Sequence, residues 1–425
     1  MSSSFDAVRR CWSAAAAIAL VVVGGDFGVP VLLALWAAVL LPQLCNRRTV
    51  VAGLPFLMLT LYSSCAWAVA AYGDHWYAPY PDMDVVTAVT NRDVRAVIAA
   101  YALMEVLFGA ARIHLATVAA ARQARAGLMG GLNRPAVRAC SLILLLGVGL
   151  VDWLKVMRIG LGAVLEGSRR EYARELLLGL DHNVQVLVIV ATIAVIASLR
   201  TLRPRWPLVG AVAFCWTPYL LSGSRKEILL VLVAIALLLF PELAGRQVAA
   251  ICAGVAVLFV APALTTGDIL DSLHEFVLPQ HMHFALEMRM LSPDFAGDFF
   301  ERVQYLLPGP LRLSQPPNLA EAFYNTGVGP EIGVGGNVFA EAATVSGPLP
   351  FVLKLALMVN SVLLLALAAG RRMPLVTIMA VAYLMIMGRS DLWIAVFFIV
   401  YCGLALQLIA WFNKEKRCRT QPSTW

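Results

Sequence analysis

Residues 207–265 read PLVGAVAFCWTPYLLSGSRKEILLVLVAIALLLFPELAGRQVAAICAGVAVLFVAPALT, and this stretch sets the fold class. Three apolar runs, 207–222, 227–245 and 247–265, follow one another, with Arg225 and Lys226 in the first gap and Arg246 in the second. Each run approaches the ~20 residues with which an α-helix crosses about 30 Å of hydrocarbon. A backbone inside lipid must satisfy its own hydrogen bonds, so such runs are read as helices.

The same pattern extends in both directions. Further runs lie at 11–25, 27–44, 50–71, 97–119, 137–153, 184–199, 347–369, 373–388 and 390–411, which makes twelve candidate spans. Hydrophobic residues make up 60% of the chain and charged residues 14%, with a mean hydropathy of +0.78, far from the average of soluble domains. The expectation is a polytopic helical membrane protein, one integral membrane domain over 1–425. The first run has no small-residue cleavage pattern leading into a polar domain and is read as a retained span or signal anchor.

Charge placement agrees with twelve spans. With the N-terminus inside, the inner segments carry Arg9, Arg10, Arg47, Arg48, Arg122, Arg125 and the basic tail around Lys414 and Arg417, among others. The inner side then totals about +15 and the outer side about −9, the sense of the positive-inside rule. Both termini fall inside and the long segment 266–346 falls outside. The formal charge of +7 is dispersed over short connectors beside lipid headgroups, which argues against nucleic acid as a partner. The eight cysteines lie in the runs or at their inner ends, and neither a disulfide framework nor a metal-ligand spacing emerges.

Three outer segments exceed hairpin length: 72–96, 154–183 and 266–346. The first carries aromatic residues and prolines suited to the headgroup level. The second mixes apolar residues at helical spacing with Lys155, Arg158, Arg169, Arg170 and Arg174, as expected of an amphipathic helix lying along the outer surface. In the third, 268–291 and 293–307 show helical patterns, and GVGPEIGVGGNVFAEAA leads from a glycine-rich turn into a helix with Asn337 as N-cap and Glu341 one turn later. Backbone N–H groups of such a turn suit phosphate or sugar oxygens, although the spacing is not that of a nucleotide-binding loop.

Arg225, in LSGSRKEILL, and Arg389, in MGRSDLW, stand in two very short outer loops. Arginine beside a membrane cavity is costly unless paired or solvated, and its planar donors match a diphosphate. Glu105, Arg112 and His114 lie within the run 97–119, where Glu105 suits either a hydrogen-bonded structural role or a transport role.

The runs, the SGSRKEILL stretch, the long late outer segment and NLAEAFYNTGVGPEIGVGGNVFAEAATVSGPLPFVLKLA together resemble the O-antigen and exopolysaccharide repeat-unit polymerases, and more distantly the O-antigen ligases. The resemblance implies an all-α fold of about twelve transmembrane helices related to the GT-C type membrane glycosyltransferases, in the bacterial inner membrane. It implies glycosyl transfer between undecaprenyl-diphosphate-linked repeat units at the periplasmic face, inverting and without metal or cofactor. Arg225, Arg389 and Arg302 would bind the diphosphate, and His283, His281 or Glu341 would act as base. Gly335, Gly336, Asn337 and Tyr324 would contact the glycan. Implied partners are lipid-linked glycans, membrane lipids, a chain-length regulator and a flippase. A ligase-type transfer and a polysaccharide or lipid transporter are the alternative activities.

Overall fold

The computed structural model describes residues 2–72, 82–132, 135–160, 182–198, 206–221, 225–239, 277, 280–292, 294, 299–307, 311–314, 319, 322–323, 326, 337–345, 347–389 and 392–411. Every regular element among them is helical. In chain order they are α1 (Ser2–Val23), α2 (Val29–Cys45), α3 (Val50–Tyr72), α4 (Met83–Leu107), α5 (Ala110–Leu132), α6 (Pro135–Ile159), α7 (His182–Ser198), α8 (Trp206–Leu221) and α9 (Arg225–Leu239). There follow the short helices α10 (His281–Glu287), α11 (Phe299–Val303) and α12 (Val338–Ala343), then α13 (Pro348–Ala369), α14 (Pro374–Leu384) and α15 (Leu392–Trp411). The chain packs as two units: Met1–Leu115 with Leu243–Leu367 and Tyr383–Phe397, and Ala116–Glu242 with Ala368–Ala382 and Phe398–Trp425.

In the first unit α4 is the central element. The last carbonyls of a helix have no partner inside it. Those of α1 meet Arg95, whose Nε and Nη2 donate to the Val21 carbonyl at 3.0 and 2.6 Å. A cation there also complements the helix dipole. Asn91 Nδ2 donates to the Phe27 carbonyl at 2.8 Å, which ties the next turn down as well. Behind this polar edge, the Tyr101 ring meets Trp36 and Phe56 edge to face at 5.1 and 5.3 Å. The Trp36 indole N–H donates to Thr60 Oγ1 at 2.8 Å, so the buried donor is satisfied.

α4 ends abruptly at Phe108 and Gly109, and α5 leaves at 78°. Gly109 has φ +76, a left-handed conformation that disfavours any Cβ. Arg10 donates to the carbonyls of Glu105 and Val106 and closes the end of α4. Glu105 closes the start of α5, its Oε2 accepting from the Ala110 N–H at 3.2 Å while Tyr101 donates to Oε1 at 3.0 Å. The role of Glu105 is therefore to cap a helix at a bend.

In the second unit α8 packs on α6 at Gly149, where an added Cβ would meet the Phe214 ring and the Cys215 backbone at 2.8 and 3.0 Å. Trp153 Nε1 donates to the Phe214 carbonyl at 3.1 Å, and Trp216 Nε1 on α8 donates to Thr192 Oγ1 on α7 at 2.8 Å.

The expected twelve spans, and the GT-C type architecture that went with them, do not hold. Among the described residues five helices are long and apolar enough to cross a membrane: Ala7–Asp26, Val50–Ala71, Pro135–Arg158, Pro348–Ala369 and Leu392–Trp411. The bent pair Met83–Leu107 and Ala110–Leu128 makes six if it counts as one span. Among the described residues, several expected runs form helices too short to cross: Val29–Cys45, Val184–Ile196, Glu227–Leu239 and Pro374–Leu384. Glu227–Leu239, for example, rises only about 20 Å at 1.5 Å per residue, against the ~30 Å of hydrocarbon. The run 97–119 is broken at Gly109, and 247–265 lies outside the described residues. The segment 72–96, expected as a loop, is helical from Met83. Of the expected amphipathic segment 154–183, the first residues complete α6, and 161–181 lie outside the described residues.

The protein is nonetheless a multi-pass membrane protein. Ile143, Leu146, Leu150, Leu154 and Met157 are exposed at intervals of three and four along α6, and Leu349, Leu353, Leu357 and Leu364 at intervals of four and seven along α13. Continuous apolar stripes of this kind are unfavourable in water and are at ease in lipid.

Candidate functional site

α10 is a seven-residue helix held on three sides. Met282, Ala285 and Leu291 pack with Leu319, Phe323 and Ala340, the last on α12. Phe284 packs with Ala66, Val69, Val86 and Val89 of α3 and α4. Gln280, just before the helix, donates its Nε2 to the Tyr62 carbonyl at 2.9 Å. The remaining face carries His283 and Glu287, one helical turn apart, and turns them toward Arg92 and Asp93 of α4.

His283 has no exposed surface. Its Nδ1 lies 3.2 Å from Asp93 Oδ2, and its Nε2 lies 2.6 Å from Arg92 Nη2. Arginine only donates, so Nε2 must be the accepting nitrogen. The ring is then neutral, with its proton on Nδ1 and donated to Asp93, and its lone pair faces the arginine. Phe351 of α13 stacks on the imidazole at 5.2 Å and lies under the Arg92 guanidinium at 4.9 Å, which fixes the plane of both groups. Arg92 Nη2 also donates to Glu287 Oε2 at 2.7 Å. The side chains of Arg92 and Glu287 are 20% and 41% exposed, so this pair is the outward edge of the cluster. Arg92 Nε and Asp93 Oδ1 are buried without a hydrogen-bond partner among the described residues.

A second centre lies on α12. Asn337 is its N-cap, its side-chain oxygen accepting from the Ala340 N–H, as the spacing in the sequence implies. Glu341, one turn on, accepts from Arg302 Nη1 at 2.9 Å on Oε1 and from the Leu392 N–H at 2.6 Å on Oε2. The two side chains are 7% and 4% exposed. This carboxylate joins three segments of the chain: α11, α12 and the start of α15. Lys354 of α13 donates to Thr344 Oγ1 at 2.7 Å beside it. Phe351 and Lys354 lie one turn apart on α13, so the same helix borders both centres.

Of the residues expected at the site, His283, Glu341, Arg302 and Asn337 stand in these two centres. His281 opens α10 and is half-buried. Arg389 lies on the 3-10 turn Met387–Arg389, which packs against α12, and its side chain is not among those described. Arg225 begins α9 in the second unit, and its side chain is likewise not among those described. Tyr324, Gly335 and Gly336 lie outside the described residues. Among the described residues no three His, Cys, Asp or Glu side chains gather as metal ligands.

Sequence reasoning missed Arg92, Asp93, Phe351 and Lys354. The signal for the first two was the polar run TNRDVR at 90–95, which opens directly into an apolar run and which a helix would place within one and a half turns. No protein-family model, curated protein or solved structure matches the chain.

Proposed function

We propose that this protein is a membrane glycosyltransferase that polymerises undecaprenyl-diphosphate-linked repeat units at the periplasmic face of the bacterial inner membrane. The observation that carries the reading is the His283 centre: a neutral imidazole, its proton donated to a buried carboxylate and its lone pair beside an arginine. A general base needs an unprotonated nitrogen held in one tautomer by the group behind it, and Asp93 supplies that hold. A diphosphate leaving group needs a cation to meet its charge, and Arg92 stands beside the base.

In the reaction, His283 Nε2 takes the proton of an acceptor sugar hydroxyl. The hydroxyl oxygen bonds to the anomeric carbon of the donor glycan as the bond from that carbon to the diphosphate oxygen breaks. Undecaprenyl diphosphate leaves with the electron pair, its charge met by arginine, and the anomeric centre inverts. Arg389, on a turn of the same unit, remains assigned to the diphosphate in this reading. With it goes a topology that keeps both termini in the cytoplasm, supported by the basic residues of the N-terminal and C-terminal ends.

The test is reconstitution of the purified chain in lipid with an undecaprenyl-diphosphate-linked repeat unit. A ladder of longer glycans with release of undecaprenyl diphosphate is expected, lost in His283→Ala. Wild-type protein that forms no ladder and releases no carrier would overturn the reading.

A further inference from the structure

The His283 centre holds a contradiction if its geometry is static. The nitrogen that must accept a proton is already accepting one from Arg92 at 2.6 Å, and the ring has no exposed surface. Arg92 stands between the imidazole and the outside, and its outer contact, to the half-exposed Glu287, is the most solvent-screened in the cluster. Both contacts use one nitrogen, Nη2, whose two hydrogens go to Nε2 and to Oε2. The buried Nε has no partner among the described residues. The guanidinium thus engages neither neighbour through its two-pronged edge, the edge that phosphate oxygens match best.

From this geometry we infer that Arg92 is an anion-operated latch: it covers the His283 lone pair at rest and swings to the diphosphate of the substrate, uncovering the base only when substrate is bound. The inference rests on the proposed glycosyl transfer and names the residue that couples diphosphate binding to base release. The exchange is favourable because a diphosphate offers two oxygens per phosphorus where Glu287 offers one contact. Phe351 remains under the guanidinium and guides its movement. A base uncovered only in the loaded site also keeps His283 from activating water in place of the sugar hydroxyl.

Diethyl pyrocarbonate acylates an unprotonated, uncovered imidazole nitrogen, so it reads the latch directly. The full chain in nanodiscs of neutral lipid is treated with the reagent alone, with inorganic diphosphate, with undecaprenyl diphosphate, or with phosphatidylglycerol in the disc, and modification is resolved at His283 by peptide mass spectrometry. His281, on the same helix, is the internal reference. Undecaprenyl diphosphate is expected to raise the rate at His283 about tenfold, by the population shift that a state-selective ligand imposes, and inorganic diphosphate to raise it less. Arg92→Gln should give the high rate with no anion added. Glu287→Gln, a change at an exposed position that removes the competing acceptor, should lower the diphosphate concentration for half-maximal release several-fold.

A His283 rate indifferent to diphosphate in wild type and to Arg92→Gln would overturn the latch, and an equal rise with phosphatidylglycerol would overturn its diphosphate selectivity. The latch and the transferase reading fail separately. Diphosphate-dependent uncovering without ladder formation removes the reaction and keeps the anion site; ladder formation with a rate insensitive to diphosphate removes the latch and keeps the reaction.

Discussion

The two buried centres of the first unit each set an arginine against a buried acid and differ in what the arginine covers and in whether it reaches the surface. Glu341 accepts an arginine on one oxygen and a backbone N–H on the other, and its side chain is 4% exposed. At His283, Asp93 Oδ1 has no hydrogen-bond partner among the described residues, and the lone pair of the imidazole is covered by Arg92, a side chain that reaches the surface. A lone pair covered by a side chain that reaches the surface can be uncovered, whereas a carboxylate bound on both oxygens by buried partners is already fully engaged. On this account the Glu341 centre is a joint and the His283 centre is a site.

Beyond loss of His283 itself, the largest effect should come from Asp93→Asn. An amide can donate to Nδ1 and turn the ring to its other tautomer, so the transfer rate should fall about 10³-fold to 10⁴-fold, as for loss of an orienting carboxylate elsewhere, with the protein still folded. Initial rates of ladder formation, normalised to folded protein, measure this. A loss under tenfold would make Asp93 a packing partner only.

Glu341→Ala should act on stability instead. It strands Arg302 in a buried setting and frees the Leu392 N–H, which costs about 3–5 kcal/mol for breaking a buried pair. Replacing both partners, Arg302→Met with Glu341→Leu, should cost less than the single change, since no charge is left behind. Denaturant unfolding of the detergent-solubilised protein gives both values. A double variant as unstable as the single would mean that the pair itself contributes net stability.

How much of this could be read in advance follows from where each signal resides. The membrane class was plain because apolar composition is local. So was the cap at Asn337, since the cap and its helix lie within one turn. Span count was not, because an apolar run does not reveal where the chain turns inside it. The run 97–119 hid a glycine with φ +76 and a carboxylate that caps the following helix. His283 and Glu341 could be named as titratable residues in a long outer segment. Their partners could not: His283 meets Asp93 across 190 positions of sequence, and Glu341 meets the Leu392 N–H across 51. The run 90–95 carries no such address either, because a charged run before an apolar stretch suits the end of a loop as well as a buried helix face.

Smaller changes probe the supports of each centre. Gly388 sits on the turn that packs against α12, and a Cβ there would collide with the Tyr62 ring. Gly388→Ala should destabilise by about 1–3 kcal/mol through overpacking and should leave the rate per folded molecule near wild type. The least effect on stability belongs to Glu287→Gln, about 1 kcal/mol at most, because that ion pair is the exposed edge of its cluster. A large loss of stability there would mean that Arg92 needs Glu287 to stay in place.

The distinction between site and joint is tested most directly by measuring His283→Gln and Glu341→Gln side by side, with ladder formation per folded molecule and unfolding midpoint read on the same preparations. The account predicts that His283→Gln folds near wild type and loses transfer, while Glu341→Gln unfolds earlier and transfers at the wild-type rate per folded molecule. A Glu341→Gln protein that is stable and inactive, beside a His283→Gln protein that remains active, would contradict it.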